Sequence, residues 1–552
     1  MAQKESFNGW PNDAGFEATA EHRTPIELPV TGSFPNNLAG TLYRVGPGTY
    51  KVKDSNFQLS HWFDGFSFVH RFELVPQQAT GTCKVLYNSR GQVDALVEEA
   101  RKSGTLKGMT FGQKRDPCES IFRKVKSIFH PAFNSKDPGL VNAGVTLHAN
   151  APGVPEGLQV PGAPTGFCSL TTLTDANVLK HIDPETLEPM GVTRQVDLHP
   201  DLKGPLSCAH AQIDATTGDW YNYNLDLGRY ATYRIFRTSA KTGQTDILAT
   251  ISGPDTKPAY LHSFFLSADY VILCIWPALY GAGGLKLLWE RNIANALNFD
   301  RNAQARWYVV DRRNGNGVVG TFSSPAFFSF HTINAWQEER DVICDIIQYP
   351  TDEMIQRAYY DAMTSTGPNV TRYYGSELSR PRMVRYRLPL PAVKSRDKEE
   401  EEEPSASSTH CPSLLAAAEA ILTIDDDQCI GDLPTINPRF KTRKTRYVYN
   451  LVNQGKSSFF DAIAKIDLET QQSWQWGQER HTPGEAIFIP NPDVDGTEDA
   501  EDAGYLLSVV LNGDTSTSYL VCLDARTMSE VGRAQFVMAK ECTMVVAGPS
   551  PQ

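Results

Sequence analysis

Along this chain the apolar positions fall into short β-branched or aromatic runs, and helical spacing is rare. Thr41-Leu42-Tyr43-Arg44-Val45, Tyr270-Val271-Ile272-Leu273-Cys274-Ile275 and Tyr505-Leu506-Leu507-Ser508-Val509-Val510-Leu511 are representative. Gly, Asn, Asp or Pro lies close to each run, and these residues end strands and supply turn dihedrals. So many short strands predict a closed all-β architecture, and over 552 residues a propeller suits the chain better than a sandwich. One theme recurs: a strand end, an aspartate, a polar turn, a new strand. It is written in Ile182-Asp183-Pro184-Glu185-Thr186, Ile213-Asp214-Ala215-Thr216-Thr217-Gly218, Ile466-Asp467-Leu468-Glu469-Thr470 and Leu523-Asp524-Ala525-Arg526-Thr527. These segments predict hairpins between outer strands of different blades, although no repeat is regular enough to count blades.

Four segments depart from the strand pattern. Residues 394–409 read KSRDKEEEEEPSASST, and like charges in a row repel and bury no surface. A disordered acidic insertion is expected at 394–410, within a single domain spanning 1–552. The following SLLAAAEAI, residues 413–421, predicts one short helix. At 120–129, helical spacing puts Ile121, Phe122, Val125, Ile128 and Phe129 on one face, with Arg123, Lys124 and Lys126 off it. Leu285-Lys286-Leu287-Leu288-Trp289 is apolar for a loop. These last two either rest in a bilayer interface, as peripheral membrane contacts, or pack on the propeller rim.

Charge narrows the partners. At −12 with a pI near 5.5, the chain gives nucleic acid no electrostatic footing. No run of about 18 apolar residues suggests a spanning helix. The first residues lack the basic-then-apolar pattern of a secretory signal. The ten cysteines are scattered singly with no CxxC pair, which predicts reduced, mostly buried thiols and a cytoplasmic setting.

Of the twelve histidines, three sit at or within strand-like runs: His210 in Cys208-Ala209-His210-Ala211-Gln212, His262 in Tyr260-Leu261-His262-Ser263-Phe264, and His331 in Phe328-Ser329-Phe330-His331-Thr332. They are too far apart for one helix or hairpin to join. A seven-bladed propeller of this length has roughly 70 to 80 residues per blade, so each histidine can occupy a different inner strand near the axis. Several imidazoles there suit Fe, Zn, Cu or Ni alike.

The motifs then resemble a known family. Phe34-Pro35-Asn36-Asn37-Leu38-Ala39-Gly40-Thr41-Leu42-Tyr43-Arg44-Val45-Gly46-Pro47-Gly48 is similar to the N-terminal signature of carotenoid cleavage oxygenases. His61-Trp62-Phe63-Asp64-Gly65-Phe66, the three histidine contexts and Pro483-Gly484-Glu485-Ala486-Ile487-Phe488 resemble further family motifs, in family order. Phe7-Asn8-Gly9-Trp10-Pro11-Asn12 looks like the fungal branch.

The resemblance implies a seven-bladed β-propeller with a helical and loop cap on one face, and iron(II), Fe(2+), on its axis. His210, His262 and His331 match metal ligands. Glu485 matches one of three glutamates that orient those ligands; Asp175 and Asp432 stand where the other two are expected. Aspartate is one methylene shorter, so its contact with histidine is expected to be longer or water-mediated. The family's fourth ligand, a histidine expected around position 545, has no counterpart, since no histidine follows His481. Three histidines can still hold a metal; Cys542 is a nearby thiol, but a thiolate there would change the iron electronically. The implied reaction uses dioxygen to split one conjugated double bond of an apolar polyene into two carbonyl products, and Phe327, Phe328 and Phe330 are candidates for tunnel lining or core. Torulene or an apocarotenoid is the expected substrate. A stilbenoid is the enzymatic alternative, and a non-catalytic propeller binding apolar ligands or protein partners is the other.

Overall fold

A computed structural model describes residues 10–536 apart from 19, 116–134, 374, 392–414, 427–428, 495 and 498–499. Seven sheets, antiparallel but for one short edge strand, form the blades of a propeller, numbered here in chain order from their innermost strands. Blade 1 starts at Gly40–Thr49, blade 2 at Thr146–Ala149 and blade 3 at Leu206–Ser207 and Gln212–Ile213. Blade 4 starts at Phe265–Leu266, blade 5 at Thr332–Glu338, blade 6 at Asp432–Thr435, and blade 7 at His481–Pro483 and Ile487–Pro490. Middle strands such as Trp220–Asp226 and Ala462–Asp467 are buried on both faces, as strands sandwiched between neighbouring blades must be. Outer strands such as Thr245–Ser252 alternate buried and exposed positions toward their C-terminal end.

The ring closes with a strand from the other end of the chain. Val30–Gly32 pairs with Glu530–Gln535 as the outermost strand of blade 7, with Val30 opposite Ala534. Ile26–Leu28, just before it, caps blade 1 through Thr82–Gly91.

Three of the four aspartate turns join the third strand of a blade to its fourth, in blades 2, 6 and 7. In each the carboxylate accepts the amides two and three residues on, as from Glu185 and Thr186 to Asp183 at 2.8 and 2.9 Å. The fifth residue is left-handed: Leu187 at φ 60°, Gln471 at 59° and Met528 at 58°. Asp214 differs from the expectation of an outer hairpin. It joins the two innermost strands of blade 3, and its other oxygen accepts from Arg312 at 2.6 Å.

Of the short helix expected at 413–421, residues 413–414 lie outside the described residues and the rest is largely strand instead. Ala416–Ala417 pairs in parallel with Phe322–Ser323 of blade 4, and Glu419–Ile424 becomes the outer strand of blade 5 against Arg382–Pro389. Helix propensity is worth at most about 0.7 kcal/mol per ordinary residue, and two waiting sheet edges outweigh it. Leu285-Lys286-Leu287-Leu288-Trp289 lies in a short helix, Leu285–Glu290, that buries Leu287 while Leu285 stays 68% exposed. The basic segment at 120–129 and the acidic one at 394–410 lie outside the described residues. All seven cysteines among the described residues are free, and six are buried.

Short helices gather over the cavity described below: Asp94–Ser103, Ile293–Ala296 and Glu353–Arg357 each give it wall residues. Among the described residues no helix is long and apolar enough to cross a membrane.

Candidate metal centre

Blades 3, 4 and 5 each bring one histidine to the axis, at the innermost strand or immediately before it. The inner strands are stitched edge to edge. His210 N–H donates to His262 O at 3.3 Å, and Ser263 Oγ takes Thr332 N–H at 2.9 Å while donating to Phe330 O at 2.7 Å. This stitching converges the three imidazoles. His210 Nε2 and His262 Nε2 are 3.1 Å apart, and one ring nitrogen from each of His210, His262 and His331 falls within 4.8 Å of the others.

Two aspartates fix which nitrogens face inward. His262 Nδ1 lies 2.9 Å from both oxygens of Asp175, and His331 Nδ1 lies 2.6 Å from Asp432 Oδ1. A carboxylate only accepts, so each Nδ1 carries the proton and each Nε2 keeps its lone pair for the axis. These contacts are direct. The longer or water-mediated geometry expected of aspartate does not occur, because each carboxylate is drawn in by further donors. Asp175 also accepts Tyr260 O–H at 2.9 Å and Ala209 N–H at 3.2 Å; Asp432 accepts Tyr349 O–H at 2.5 Å and Leu433 N–H at 2.8 Å.

The donor set fits a divalent transition metal. Two imidazoles on one ion at about 2.1 Å stand about 3.0–3.4 Å apart, which the 3.1 Å separation matches. His331 Nε2 is buried without a protein partner among the described residues, an orphan that a metal would satisfy. Burial holds His210 well below the ordinary imidazole range, helped by the neighbouring His262 and His331, so it stays a neutral donor. Burial is also the largest single influence on His331, yet the Asp432 charge and hydrogen bond, with the charges of Glu485 and Asp175, together outweigh it and raise that pKa.

Glu485 faces Arg44. Its carboxylate is 3.7 Å from the guanidinium, which also donates to Glu485 O at 3.0 Å. Position 545 and Cys542 lie outside the described residues.

Beside the imidazoles opens a cavity of about 830 Å³, walled largely by apolar groups such as Phe63, Leu106, Phe111, Ile293, Phe330 and Leu433. Of the three phenylalanines expected at a tunnel or core, Phe330 lines it, while Phe327 and Phe328 are core. The His61-Trp62-Phe63-Asp64-Gly65 segment builds one wall. His61 is no ligand: its Nδ1 accepts Phe63 N–H, its Nε2 meets Ile355 O at 3.0 Å, and burial lowers its pKa to about 3. Asp64 takes the amides of Phe111 and Gly112 at 2.6 and 2.7 Å and so fastens the covering loop.

Tyr260 and Tyr349 are the residues that sequence reasoning missed. Tyr260 sits two places before His262, so it shares a run with a ligand candidate; Tyr349 carries no such signal. Gly431 was missed as well. A Cβ there would lie 1.6 Å from Leu451 O, so only glycine lets Asp432 reach the axis.

The comparisons agree with this geometry. The family profile described as "Retinal pigment epithelial membrane protein" (RPE65) matches residues 15–541. The chain is 40% identical over 559 residues to a torulene dioxygenase of Gibberella fujikuroi, covering 96% of this chain and 92% of that one. It is 38% identical over 563 residues to a carotenoid dioxygenase of Neurospora crassa, covering 96% and 89%. Among solved structures, a cobalt-substituted Synechocystis ACO superposes with a TM-score of 0.72 at 21% identity, covering 99% of each chain. That likeness supports the propeller, and the profile together with the fungal relatives supports the lineage: the chain belongs to the RPE65/carotenoid oxygenase family.

Proposed function

We propose that this protein is a carotenoid cleavage dioxygenase that splits one conjugated C=C bond of a carotenoid into aldehyde products, with torulene or an apocarotenoid as substrate. One observation carries the reading. Three imidazoles converge within 4.8 Å, and two of them, His262 and His331, each with Nδ1 bound to an aspartate, line an apolar cavity of about 830 Å³. The likeness to fungal torulene and carotenoid dioxygenases supplies the substrate class.

His210, His262 and His331 are the proposed ligands of iron(II), Fe(2+), which when bound supplies the dioxygen chemistry that no side chain here can perform. Asp175 and Asp432 hold His262 and His331 in the tautomer a metal needs. Glu485 is proposed to act on the same centre from across the axis, where its charge raises the His331 pKa together with that of Asp432. Phe63 and Phe330 flank His262, with ring centroids at 6.3 and 5.8 Å, and offer flat apolar surfaces to a polyene while keeping water off the reacting bond. No acid or base is assigned.

We place the protein in the cytoplasm, peripheral on membranes. The exposed Leu285 and Leu288 stand just before Arg291 and Ile293 of the cavity wall, where a lipid-dissolved substrate would arrive.

The test is to load the purified chain with Fe(II), supply torulene and β-carotene in detergent, and identify products by mass. Paired aldehydes from one defined bond, lost in His262→Ala, support the reading. Phenolic aldehydes from a stilbenoid but none from a carotenoid would replace it.

A further inference from the structure

A second cavity, of about 250 Å³, lies against the first, and the two share the wall residues Trp62, Met354, Asp432 and Phe460. Its lining is mixed. Phe459 and Ile430 add apolar surface, while Arg357, from the end of the helix Glu353–Arg357, adds a guanidinium.

Among the described residues Arg357 has no match for its charge: no carboxylate lies within ion-pair distance of it and no acceptor hydrogen-bonds its guanidinium. The described carboxylates of the same cavity and helix, and Asp461, are committed elsewhere. Asp432 accepts from His331, Tyr349 and Leu433. Glu353 accepts from Ser376, and Asp461 accepts from the amides of Gln454 and Lys456. Glu377 is largely exposed and sits 3.6 Å from Arg380. Burial lowers the Arg357 pKa, with Tyr349 and Asp461 only partly opposing it. A half-buried guanidinium remains charged, so leaving it without a counter-charge costs stability unless something else visits it.

The geometry points to a carboxylate subsite: Arg357 takes the acid end of an apolar chain whose hydrocarbon lies along Trp62, Phe459 and Phe460. An inorganic anion would gain nothing from those aromatic walls and would lose its hydration to enter. A carboxylate pairs with the planar guanidinium through two parallel hydrogen bonds, and its tail buries against the shared wall. The ligand class is therefore a polyene or long-chain carboxylic acid. The assignment goes beyond the cleavage reading and does not depend on it.

The test is a binding titration under nitrogen, so that no turnover intervenes. The full chain, with and without added Fe(II), is titrated with all-trans-retinoic acid and with its methyl ester, following tryptophan quenching. Charge-assisted pairing predicts that the acid binds about tenfold more tightly than the ester in both preparations. Arg357→Gln should abolish that preference while leaving ester affinity unchanged, and Arg357→Lys should keep part of it. Equal binding of acid and ester by the wild-type chain overturns the assignment, as does an acid preference that survives in Arg357→Gln. A preference seen only with Fe(II) present also overturns it, by placing the carboxylate at the metal. Should Arg357→Gln fail to fold, the wild-type comparison and Arg357→Lys carry the decision.

Discussion

Replacing Asp432 tests how the candidate centre is held. Asp432→Ala removes the acceptor for His331 Nδ1–H at 2.6 Å and for Tyr349 O–H at 2.5 Å. Both donors are buried or nearly so, and a buried donor left unpaired costs about 1–3 kcal/mol, so the metal-free variant should lose about 2–6 kcal/mol. The imidazole also loses the partner that sets its tautomer and basicity, a change that typically weakens metal binding about 10–100-fold, or about 1.4–2.7 kcal/mol. Asp432→Asn separates the two effects. Its carbonyl can accept from His331 and its amide can donate to Tyr349, so stability should fall far less while metal affinity still drops about tenfold with the charge. Anaerobic competition between the protein and a chelator for Fe(II) measures affinity, and thermal melting of the metal-free chain measures stability. An Ala variant that binds Fe(II) as tightly as the parent would refute the claim that Asp432 prepares His331 for a metal.

Further outcomes follow from other features. Because Asp432 raises the His331 pKa above the ordinary 6.5, a proton competes with the metal; apparent Fe(II) affinity should fall about tenfold per pH unit below a midpoint lying above 6.5, and a flat profile between pH 6 and 8 would contradict this. Asp432→Asn should move that midpoint down. Gly431→Ala forces a Cβ to 1.6 Å from Leu451 O, so it should destabilise by about 3 kcal/mol, the upper end for overpacking, and lower the melting temperature, whereas an unchanged melt would mean that the backbone there shifts freely. The double variant Leu285→Asp, Leu288→Asp should weaken sedimentation with phospholipid vesicles several-fold without altering metal content, and unchanged sedimentation would remove this helix from the membrane contact.

Much of the fold was legible because the strand pattern is local. Alternation and turn residues announce strands, and the aspartate turns proved regular down to the left-handed fifth residue. Where tertiary pairing decides, the sequence misled: the alanines of 416–420 favour helix, but the edges of blades 4 and 5 take that stretch as strand. The histidines stood out singly, yet their convergence depends on which blades adjoin, which spacing alone leaves open. Asp175 and Asp432 carried only a resemblance; their direct contacts depend on Tyr260 and Tyr349, which approach from other segments. Arg357 was invisible, since an unmatched charge is recognised only when all its neighbours are known.

The clasp between Val30 and Ala534 sets a schedule for the ribosome. Roughly 500 residues separate the paired segments, and loop-closure entropy for such a span is about 5 kcal/mol, collected only at the last step. Until Glu530–Gln535 has emerged, blade 7 lacks its partner, and both strand edges stay open to other chains. The inner strands of blades 3 to 5 can meet long before that, so the histidine cluster can assemble on a nascent chain whose ring is still unclosed.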